Sequence, residues 1–446
     1  MSPRLSIENP RITVIGTGYL GAVHAACMAD FGFDVLGVDV DAGKIEKLAA
    51  GEPPFYEPGF AELLRSALDT GRLRFGTDFA EAGEFGDVHF LCVGTPQRQG
   101  SNAADISYVD EATSALAVHL NRPCLVVGKS TVPVGTAARL ADLLVELAPA
   151  GSDVELAWNP EFLREGFAVA DTVRPDRLVV GVTSEGADQL LRTVYRKQLD
   201  DGVPYLTTDL ATAELVKVAA NSFLATKISF INAMAEICEA TGADVAKLAE
   251  AIGYDERIGS KFLRAGLGFG GGCLPKDIRA FMARAGELGL GDSLRFLYEV
   301  DEINQRRRSK AVQIATEMVG GSVTGLRVAA LGAAFKPDSD DVRDSPALNV
   351  AASLQLHGAH VRVYDPKAMA NSAKYFPTLH YVSDAAEACT DADIVLLLTE
   401  WSEFVELDPV ELAKLTSARR ILDCRNVLDP QQWRDAGWQI HSLGRP

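Results

Sequence analysis

The feature that most constrains the fold is a strand–turn–helix–strand pattern near the start of the chain. A β-branched run from Arg11 to Ile15 leads into Gly16-Thr17-Gly18-Tyr19-Leu20-Gly21, and an alanine-rich segment to about Phe31 follows. A second apolar run then ends at Asp39. This order predicts a βαβ unit that binds a dinucleotide, with the pyrophosphate at the helix N-terminus. We expect Asp39 to bind the ribose hydroxyls, which favours NAD over NADP.

Three more apolar runs continue the pattern, and each one ends in a polar loop. The runs cover residues 87–93, 124–128 and 154–158. The loops are Gly94-Thr95-Pro96, Lys129-Ser130-Thr131-Val132-Pro133 and Asn159-Pro160-Glu161-Phe162-Leu163-Arg164-Glu165-Gly166. Ligands bind outside the carboxyl ends of the strands in an open α/β sheet. We therefore predict that these three loops meet at one ligand site.

A long helical period begins at about Asp209. Glu214, Lys217 and Asn221 fall close to one helix face, and the helix could continue to about Thr241. A second α/β pattern starts at residue 327, and its first turn lacks GxGxxG. We therefore predict an α/β protein with two Rossmann-like doubly wound domains joined by a long central helix. The predicted domains are a dinucleotide-binding domain at 1–208, a helical domain at 209–318 and a second Rossmann-like domain at 319–446.

The stretch that carries the chemistry is Gly268-Phe269-Gly270-Gly271-Gly272-Cys273-Leu274-Pro275-Lys276-Asp277. Pro275 and Asp277 are typical of the first turn of a helix, so Cys273 is predicted just before a helix N-terminus. A thiol in that position loses its proton more easily and becomes nucleophilic. A buried cysteine in a glycine turn is the ordinary alternative.

Composition narrows the possible partners and surroundings. The 446 residues suggest two or three domains, and a net charge of −18 argues against nucleic acid and anionic membranes as partners. Seven scattered cysteines without metal-ligand spacing predict reduced thiols, no structural metal and a cytoplasmic location. The first ten residues do not read as a signal peptide, and no apolar run reaches the ~18 residues of a membrane span.

Taken together, the motifs resemble the nucleotide-sugar 6-dehydrogenases of the UDP-glucose/GDP-mannose dehydrogenase family. The resemblance runs from about residue 11 to about 430 through seven motifs in order: GTGYLG, CVGTP, KSTVPVGT, NPEFLREG, the Glu214–Asn221 helix, GFGGGCLPKD and GAAFKPDSDDVRDSP. The Cys273 loop ends in Leu-Pro-Lys-Asp, and this ending resembles the UDP-glucose branch of the family more than its GDP-mannose or acetylhexosamine branches. One departure is the segment 100–105, which replaces the family's usual Asp-Gly turn and lies outside the chemistry.

The resemblance implies a four-electron oxidation of UDP-glucose to UDP-glucuronate with two NAD reduced, in which Cys273 holds a thioester. Lys217 and Asn221 would act at the reacting oxygen, Asp277 would order water and the lysine, and Glu161 with Thr131 would position the hydrolytic water. The implied catalytic residues are Thr131, Glu161, Lys217, Asn221, Cys273 and Asp277. The cofactor-binding residues are Gly16, Gly18, Tyr19, Leu20, Gly21, Asp39, Lys44, Thr95, Thr131, Glu165 and Arg343. The substrate-binding residues are Glu161, Phe162, Leu163, Lys217, Asn221, Arg257, Phe262, Leu263, Gly270, Phe335 and Lys336.

Several alternatives stay open at this point. The same reaction on dTDP-glucose or GDP-mannose is one, and a two-electron hydroxyacid dehydrogenase, which needs no nucleophilic cysteine, is another. A regulatory NAD-binding protein without catalysis should have lost Cys273, Lys217 or Asp277, and all three are present. The resemblance also implies a homodimer or higher homo-oligomer built on the central helix, with Arg257 reaching the substrate of the neighbouring subunit.

Overall fold

The computed structural model describes residues 7–445 and divides into two compact units. The first unit contains the residues up to Ala220 together with Arg279–Arg284. The second contains Asn221–Ile278 together with the residues from Ala285 onward. The division into three domains at 208 and 318 stays a prediction.

The strands of the described residues are short and mostly buried. They are β1 Ile12–Ile15, β2 Val35–Val38, β3 Leu73–Gly76, β4 Val88–Leu91, β5 Cys124–Gly128, β6 Val154–Trp158, β7 Leu178–Gly181, β8 Tyr205–Thr208, β9 Arg327–Leu331, β10 His360–Tyr364, β11 His380–Tyr381, β12 Ile394–Leu397, β13 Arg420–Asp423 and β14 Gln439–Ser442.

The helices of the described residues are α1 Tyr19–Asp30, α2 Ala42–Ala49, α3 Phe60–Asp69, α4 Phe79–Phe85, α5 Ser107–Ala117, α6 Thr136–Leu147, α7 Ala168–Val173, α8 Glu185–Val194, α9 Arg196–Asp200, α10 Leu210–Thr241, α11 Val245–Gly253, α12 Leu274–Glu287, α13 Phe296–Met318, α14 Pro346–Leu356, α15 Met369–Tyr375, α16 Ala385–Cys389, α17 Ser402–Val405, α18 Pro409–Leu412 and α19 Pro430–Asp435. Two short 3₁₀ turns lie at Gly151–Asp153 and Gly291–Leu294.

The first unit is built on one sheet with the strand order β3-β2-β1-β4-β5-β6-β7-β8. All pairs are parallel except β6 with β7, which meet in antiparallel fashion at Trp158 and Gly181. Each central strand is buried on both faces: Ile12 and Val14 belong to one hydrophobic cluster and Ile15 to the other. Helices cover both faces, so the β-branched runs form strands between two apolar layers.

The second unit contains a parallel sheet with the order β11-β10-β9-β12-β13-β14. This order repeats that of the first six strands of the other sheet, which confirms the prediction of two Rossmann-like doubly wound sheets. The turn after β9 bends at Gly332, where φ is +113° and an added Cβ would lie 2.5 Å from the backbone nitrogen of Thr399. Close packing against the protein therefore explains that glycine.

The predicted long helix is α10, and it ends at Thr241 as expected. Gly242 follows with φ of +74° and terminates it in the left-handed conformation. Its 32 residues correspond to about 48 Å of helix. In the part of the chain that the structure describes, no helix is long and apolar enough to cross a bilayer.

Candidate active site

A cavity of about 440 Å³ lies in the first unit at the carboxyl ends of β1, β2 and β4. Its lining includes Gly16 and Gly18 from the first turn, and Asp39 and Lys44 after β2. The opposite wall comes from Val93, Gly94, Pro96 and the α5 residues Tyr108, Glu111, Ala112 and Ala115. The cavity is where the GxGxxG pattern predicts a dinucleotide, and it is apolar enough to hold an adenosine moiety.

The three motif glycines have different structural reasons. Gly16 has φ of +88°, and a Cβ there would lie 2.9 Å from the backbone nitrogen of Val93. A Cβ on Gly21 would overlap the carbonyl oxygen of Gly16, so this position needs glycine for the close approach of α1 to β1. A Cβ added at Gly18 would have no protein atom within 4 Å, so Gly18 faces the open space that a pyrophosphate would fill.

Asp39 is held firmly at the end of β2. Its carboxylate accepts hydrogen bonds from the backbone N–H of Thr17 at 2.9 Å and of Asp41 at 3.0 Å. The Nζ atom of Lys44 lies 2.8 Å away. Burial alone would raise the pKa of Asp39, but the hydrogen bonds from Lys44 and the backbone outweigh burial and lower the pKa. Asp39 is therefore an anion at neutral pH, and Lys44 is paired with it.

Tyr19, the first residue of α1, belongs to a hydrogen-bond network that holds a neighbouring loop on the motif. Its hydroxyl donates to Glu57, and Glu57 in turn accepts the backbone N–H groups of Gly166 and Ala168, both at 2.7 Å. This network fixes the loop that carries Glu165, another predicted cofactor residue.

Thr95 and Leu20 are held by other parts of the same unit. The hydroxyl of Thr95 donates to the carbonyl oxygen of Thr131 at 2.8 Å, which joins two of the loops predicted to meet. Leu20 is half-buried and packs against the core cluster on the α1 face of the sheet. The contacts of Leu20 are therefore with the protein core.

Glu161 is tied on both carboxylate oxygens. Oε1 accepts the backbone N–H groups of Phe162 at 2.7 Å and of Leu163 at 3.0 Å, while Oε2 lies 3.0 Å from the Nζ atom of Lys129. Lys129 is buried and was not among the predicted site residues, although its loop was predicted at the ligand edge of the sheet. Its position directly before Ser130 and Thr131, at a strand's carboxyl end, was the available signal.

Lys217 lies on α10 with its Nζ atom 5.4 Å from the centre of the Phe162 ring. The structure thus brings the helix lysine to the loop that carries Glu161. One turn earlier on the same helix, Glu214 is buried and accepts the backbone N–H groups of Gly135 at 2.8 Å and Ala137 at 2.6 Å. The Glu214 carboxylate therefore accepts the free N–H groups at the N-terminus of α6. This contact also connects α10 to the loop that contains Thr131.

In the second unit, Cys273 lies directly before α12, as predicted. It is exposed, whereas the other six cysteines of the described residues are buried. Burial raises the pKa of Cys27, Cys92, Cys124 and Cys389 to about 12. Cys273 is thus the thiol that solvent and a substrate can reach.

Asp277 is buried in the first turn of α12 and joins the two predicted catalytic helices of this unit. Its Oδ2 atom accepts a hydrogen bond from the side-chain amide of Asn221 at 2.7 Å. Its Oδ1 atom lies 2.6 Å from the Nζ atom of Lys276. Asn221, one turn beyond Lys217 on α10, is therefore fixed by Asp277 at the start of the helix that follows Cys273.

The glycines before Cys273 pack against protein. Gly271 has φ of +82°, and a Cβ there would lie 2.8 Å from the ring of Phe335. Its N–H donates to the carbonyl oxygen of Arg343 at 2.8 Å. Gly270 faces the carbonyl oxygen of Asp344, and Gly272 faces the guanidinium of Arg343. These contacts hold the Cys273 loop against the turn after β9, so the glycines serve close packing within the protein.

The other predicted substrate residues have varied surroundings. Phe262 is exposed and has φ of +64°, whereas Leu263 is buried in the hydrophobic cluster around Ile231. Arg257 is exposed and paired with Asp255 at 2.6 Å. The Nζ atom of Lys336 lies 5.5 Å from the ring of its neighbour Phe335. Arg343, predicted to bind the cofactor, forms a 2.7 Å ion pair with Asp341.

Three domain profiles of one family match the chain in order. They are described as the NAD binding domain, the central domain and the UDP binding domain of the UDP-glucose/GDP-mannose dehydrogenase family, and they match residues 10–199, 211–306 and 329–430. The chain belongs to this family. Membership makes it an NAD-dependent oxidoreductase, and it confirms NAD as the cofactor of the first unit.

Named relatives agree with this assignment. The chain is 43% identical over 438 residues to a UDP-glucose 6-dehydrogenase of Rhizobium meliloti, covering 98% of this chain and all of the relative. It is 42% identical to the UDP-glucose 6-dehydrogenase TuaD of Bacillus subtilis, covering 98% of this chain and 93% of that protein. A solved UDP-glucose dehydrogenase from Pyrobaculum islandicum aligns over the full length of both chains with a TM-score of 0.91 and 38% identity. The roles of individual residues stay predictions.

Proposed function

We propose that this family member oxidises the C6 alcohol of UDP-glucose to the carboxylate of UDP-glucuronate and that Cys273 carries the acyl intermediate. The observation that supports the cysteine role is its position: it is exposed, directly before α12, beside the Asp277–Asn221 pair. The UDP-glucose 6-dehydrogenases align with almost the whole chain, which supports the substrate.

The chemistry explains why a thiol is needed. NAD held at the Gly16–Gly18 turn and Asp39 would supply the hydride acceptor for both oxidations at C6. The aldehyde formed first has no tetrahedral carbon that can give up a second hydride until a nucleophile adds to it. Addition of the Cys273 thiolate supplies that carbon as a thiohemiacetal. Its oxidation leaves a thioester, and water then releases the acid and restores the thiol.

The polar side chains divide the remaining work. Lys217 would stabilise the charge that develops on the C6 oxygen, and Asn221 would donate to the same oxygen. Asp277 holds Asn221 and places a negative charge at the start of α12. Glu161 would accept a hydrogen bond from the water that attacks the thioester.

The reaction is tested by the ratio of NADH formed to sugar consumed with limiting UDP-glucose. Two NADH per UDP-glucose support the proposal, and one NADH would instead identify a two-electron dehydrogenase.

Cys273→Ala should abolish acid formation and leave NAD binding nearly intact. The matched control is Cys238→Ala, which removes a buried thiol of the same unit. Normal turnover by Cys273→Ala would refute the nucleophile assignment.

The same assay decides between substrates. Parallel reactions with dTDP-glucose and GDP-mannose should be slower than the reaction with UDP-glucose at equal concentration. A higher kcat/KM with either one would keep the four-electron mechanism and replace the substrate.

We also propose that the protein assembles through α10 as a homodimer. Phe223, Phe230 and Ile237 are exposed by 67%, 49% and 58%, although all three are large and apolar. They recur every seven residues, so they form one stripe along about 21 Å of helix. An exposed apolar stripe on a helix is typical of an interface, and a second copy of the same stripe would be self-complementary about a two-fold axis.

A further inference from the structure

A buried lysine stands behind Glu161 in the first unit. Lys129 follows β5 and is 4% exposed; its Nζ atom lies 3.0 Å from Glu161 Oε2 and 3.0 Å from Asn159 Oδ1. Asn159 follows the neighbouring strand β6, and its N–H donates to the carbonyl oxygen of Gly128 at 2.8 Å. Lys129 and Glu161 therefore meet because two adjacent parallel strands end at the same edge of the sheet.

Asn159 is itself fixed from two further sides. Its side-chain amide donates to the carbonyl oxygen of Val179 at 2.9 Å, and its Oδ1 atom accepts the hydroxyl of Tyr195 at 2.5 Å. The Lys129 ammonium also lies 5.9 Å from the centre of the Phe90 ring. The Lys129 ammonium is thus held between Asn159, Glu161 and the Phe90 ring.

The charges around Lys129 make Glu161 its counter-ion. Burial raises the pKa of Tyr195 and of Cys92 to about 12, and burial lowers the pKa of His24, so these neighbours are neutral near pH 7. Among the residues that the structure describes, Lys129 forms its ion pair with Glu161. A buried ammonium without a partner costs several kcal/mol. Glu161 is therefore the carboxylate that compensates the buried Lys129 ammonium, and removal of the ammonium acts first on Glu161.

We propose that Lys129 is a positioning residue for hydrolysis of the Cys273 thioester, acting through Glu161. The inference depends on the proposed function and adds a residue to its last step. In that step the oxygen of water attacks the thioester carbonyl carbon, a proton of the water passes to Glu161, and the carbon–sulfur bond breaks to release the Cys273 thiolate. Two backbone N–H groups hold Oε1 of Glu161 and Lys129 holds Oε2, so loss of the ammonium removes the ion pair at the second oxygen.

The test is rapid-mixing kinetics of the full-length Lys129→Met variant with UDP-glucose and NAD. The two oxidations precede hydrolysis, so a burst of two NADH per active site should remain within about twofold of the wild type. Steady-state turnover should fall roughly 10- to 100-fold, because the residue that accepts the water's proton loses one of the groups that hold it in place. Intact-mass measurement after acid quench should show the UDP-glucuronyl adduct on Cys273.

Two further variants separate positioning from general damage. Lys129→Arg keeps the charge and should recover part of the steady-state rate. Lys197→Met removes an exposed lysine of the same unit and should leave both phases unchanged. NAD titration of each variant checks that the first unit is folded.

A double-variant comparison tests whether Lys129 acts through Glu161. If it does, Lys129→Met with Glu161→Gln should hydrolyse the thioester no more slowly than Glu161→Gln alone. This pair also serves if the single Lys129→Met variant does not fold, because the double variant leaves no unpaired buried charge. An additional tenfold loss in the double variant would overturn the inference.

Other outcomes are equally decisive. Equal loss of burst and steady state, or wild-type turnover by Lys129→Met, would refute the role of Lys129 while the proposed function stands. Failure of the wild type to form two NADH per UDP-glucose would instead refute the proposed function.

Discussion

At the scale of single residues, Asp39 is predicted to bind the ribose of the cofactor. Asp39→Ala should raise the KM for NAD roughly 10- to 100-fold, because hydrogen bonds to a charged group contribute about 1.5–3 kcal/mol. The KM for UDP-glucose should change little. Asp34→Ala is the matched control, since Asp34 lies directly before the same strand, is half-exposed and pairs with Arg72. An unchanged KM for NAD in Asp39→Ala would remove its role in ribose binding.

The lowered pKa of Asp39 also predicts a pH dependence. The folded pKa lies below the unfolded value of about 3.9, so the ionised carboxylate stabilises the fold fully above that value. This contribution is lost as the pH falls through the lower folded pKa. The stability difference between the wild type and Asp39→Asn, measured by urea unfolding, should thus be constant between pH 7 and about pH 5 and shrink below about pH 4. A difference that shrinks already near neutral pH would contradict the prediction.

At the scale of elements, Glu214 joins α10 to the N-terminus of α6. Glu214→Ala leaves the N–H groups of Gly135 and Ala137 without their acceptor and should lower the free energy of unfolding by about 2–4 kcal/mol. Glu214→Gln keeps one acceptor oxygen and should lose about half as much. Thermal unfolding measures both losses. Equal stability of Glu214→Ala and the wild type would mean that water replaces the carboxylate at this helix end.

The loop before Cys273 is an element whose shape depends on close packing. Gly271→Ala combines the left-handed conformation with a contact of 2.8 Å to the Phe335 ring. Gly289→Ala is its matched control, since Gly289 has φ of +73° with no atom within 4 Å of the new Cβ. The control should cost about 1–2 kcal/mol, the usual penalty for a left-handed residue, and Gly271→Ala should cost more and lower kcat. Equal unfolding energies for the two variants would show that the ring simply moves aside.

The same elements show what the sequence could predict. Buried β-branched runs identified the central strands, and Gly242, Pro275 and Asp277 marked helix ends correctly, because these signals are local. The edge strands β3, β8, β11 and β14 and the inner strand β7 were not predicted. β3 and β8 carry exposed or half-buried residues, and the place of a strand at a sheet margin depends on partners distant in sequence. β7 is fully buried like the central strands and was nevertheless missed.

The site residues also fall into two groups: those that a local motif predicts and those whose partners are distant in the sequence. Cys273 and Asp39 were predicted from motifs in which neighbouring residues supply the physical reason. Lys129 was missed because its partners, Asn159 and Glu161, are 30 or more positions away and meet it only when β5 and β6 pair. Glu214 was predicted on the right helix face, but its bond to α6 depends on the fold.

At the scale of the whole molecule, the exposed apolar stripe of Phe223, Phe230 and Ile237 on α10 predicts a homodimer. Phe230→Glu places a charge at the middle of the stripe, where desolvation of a carboxylate opposes association. Light scattering should show the wild type at twice the mass of one chain and Phe230→Glu at the mass of a single chain at low micromolar concentration. Leu356→Glu is the matched control, because Leu356 is 86% exposed on α14 and belongs to no stripe. This control should keep the dimer mass. A Phe230→Glu variant that stays dimeric would place the interface elsewhere, and a monomeric wild type would remove the dimer proposal while leaving the dehydrogenase chemistry untouched.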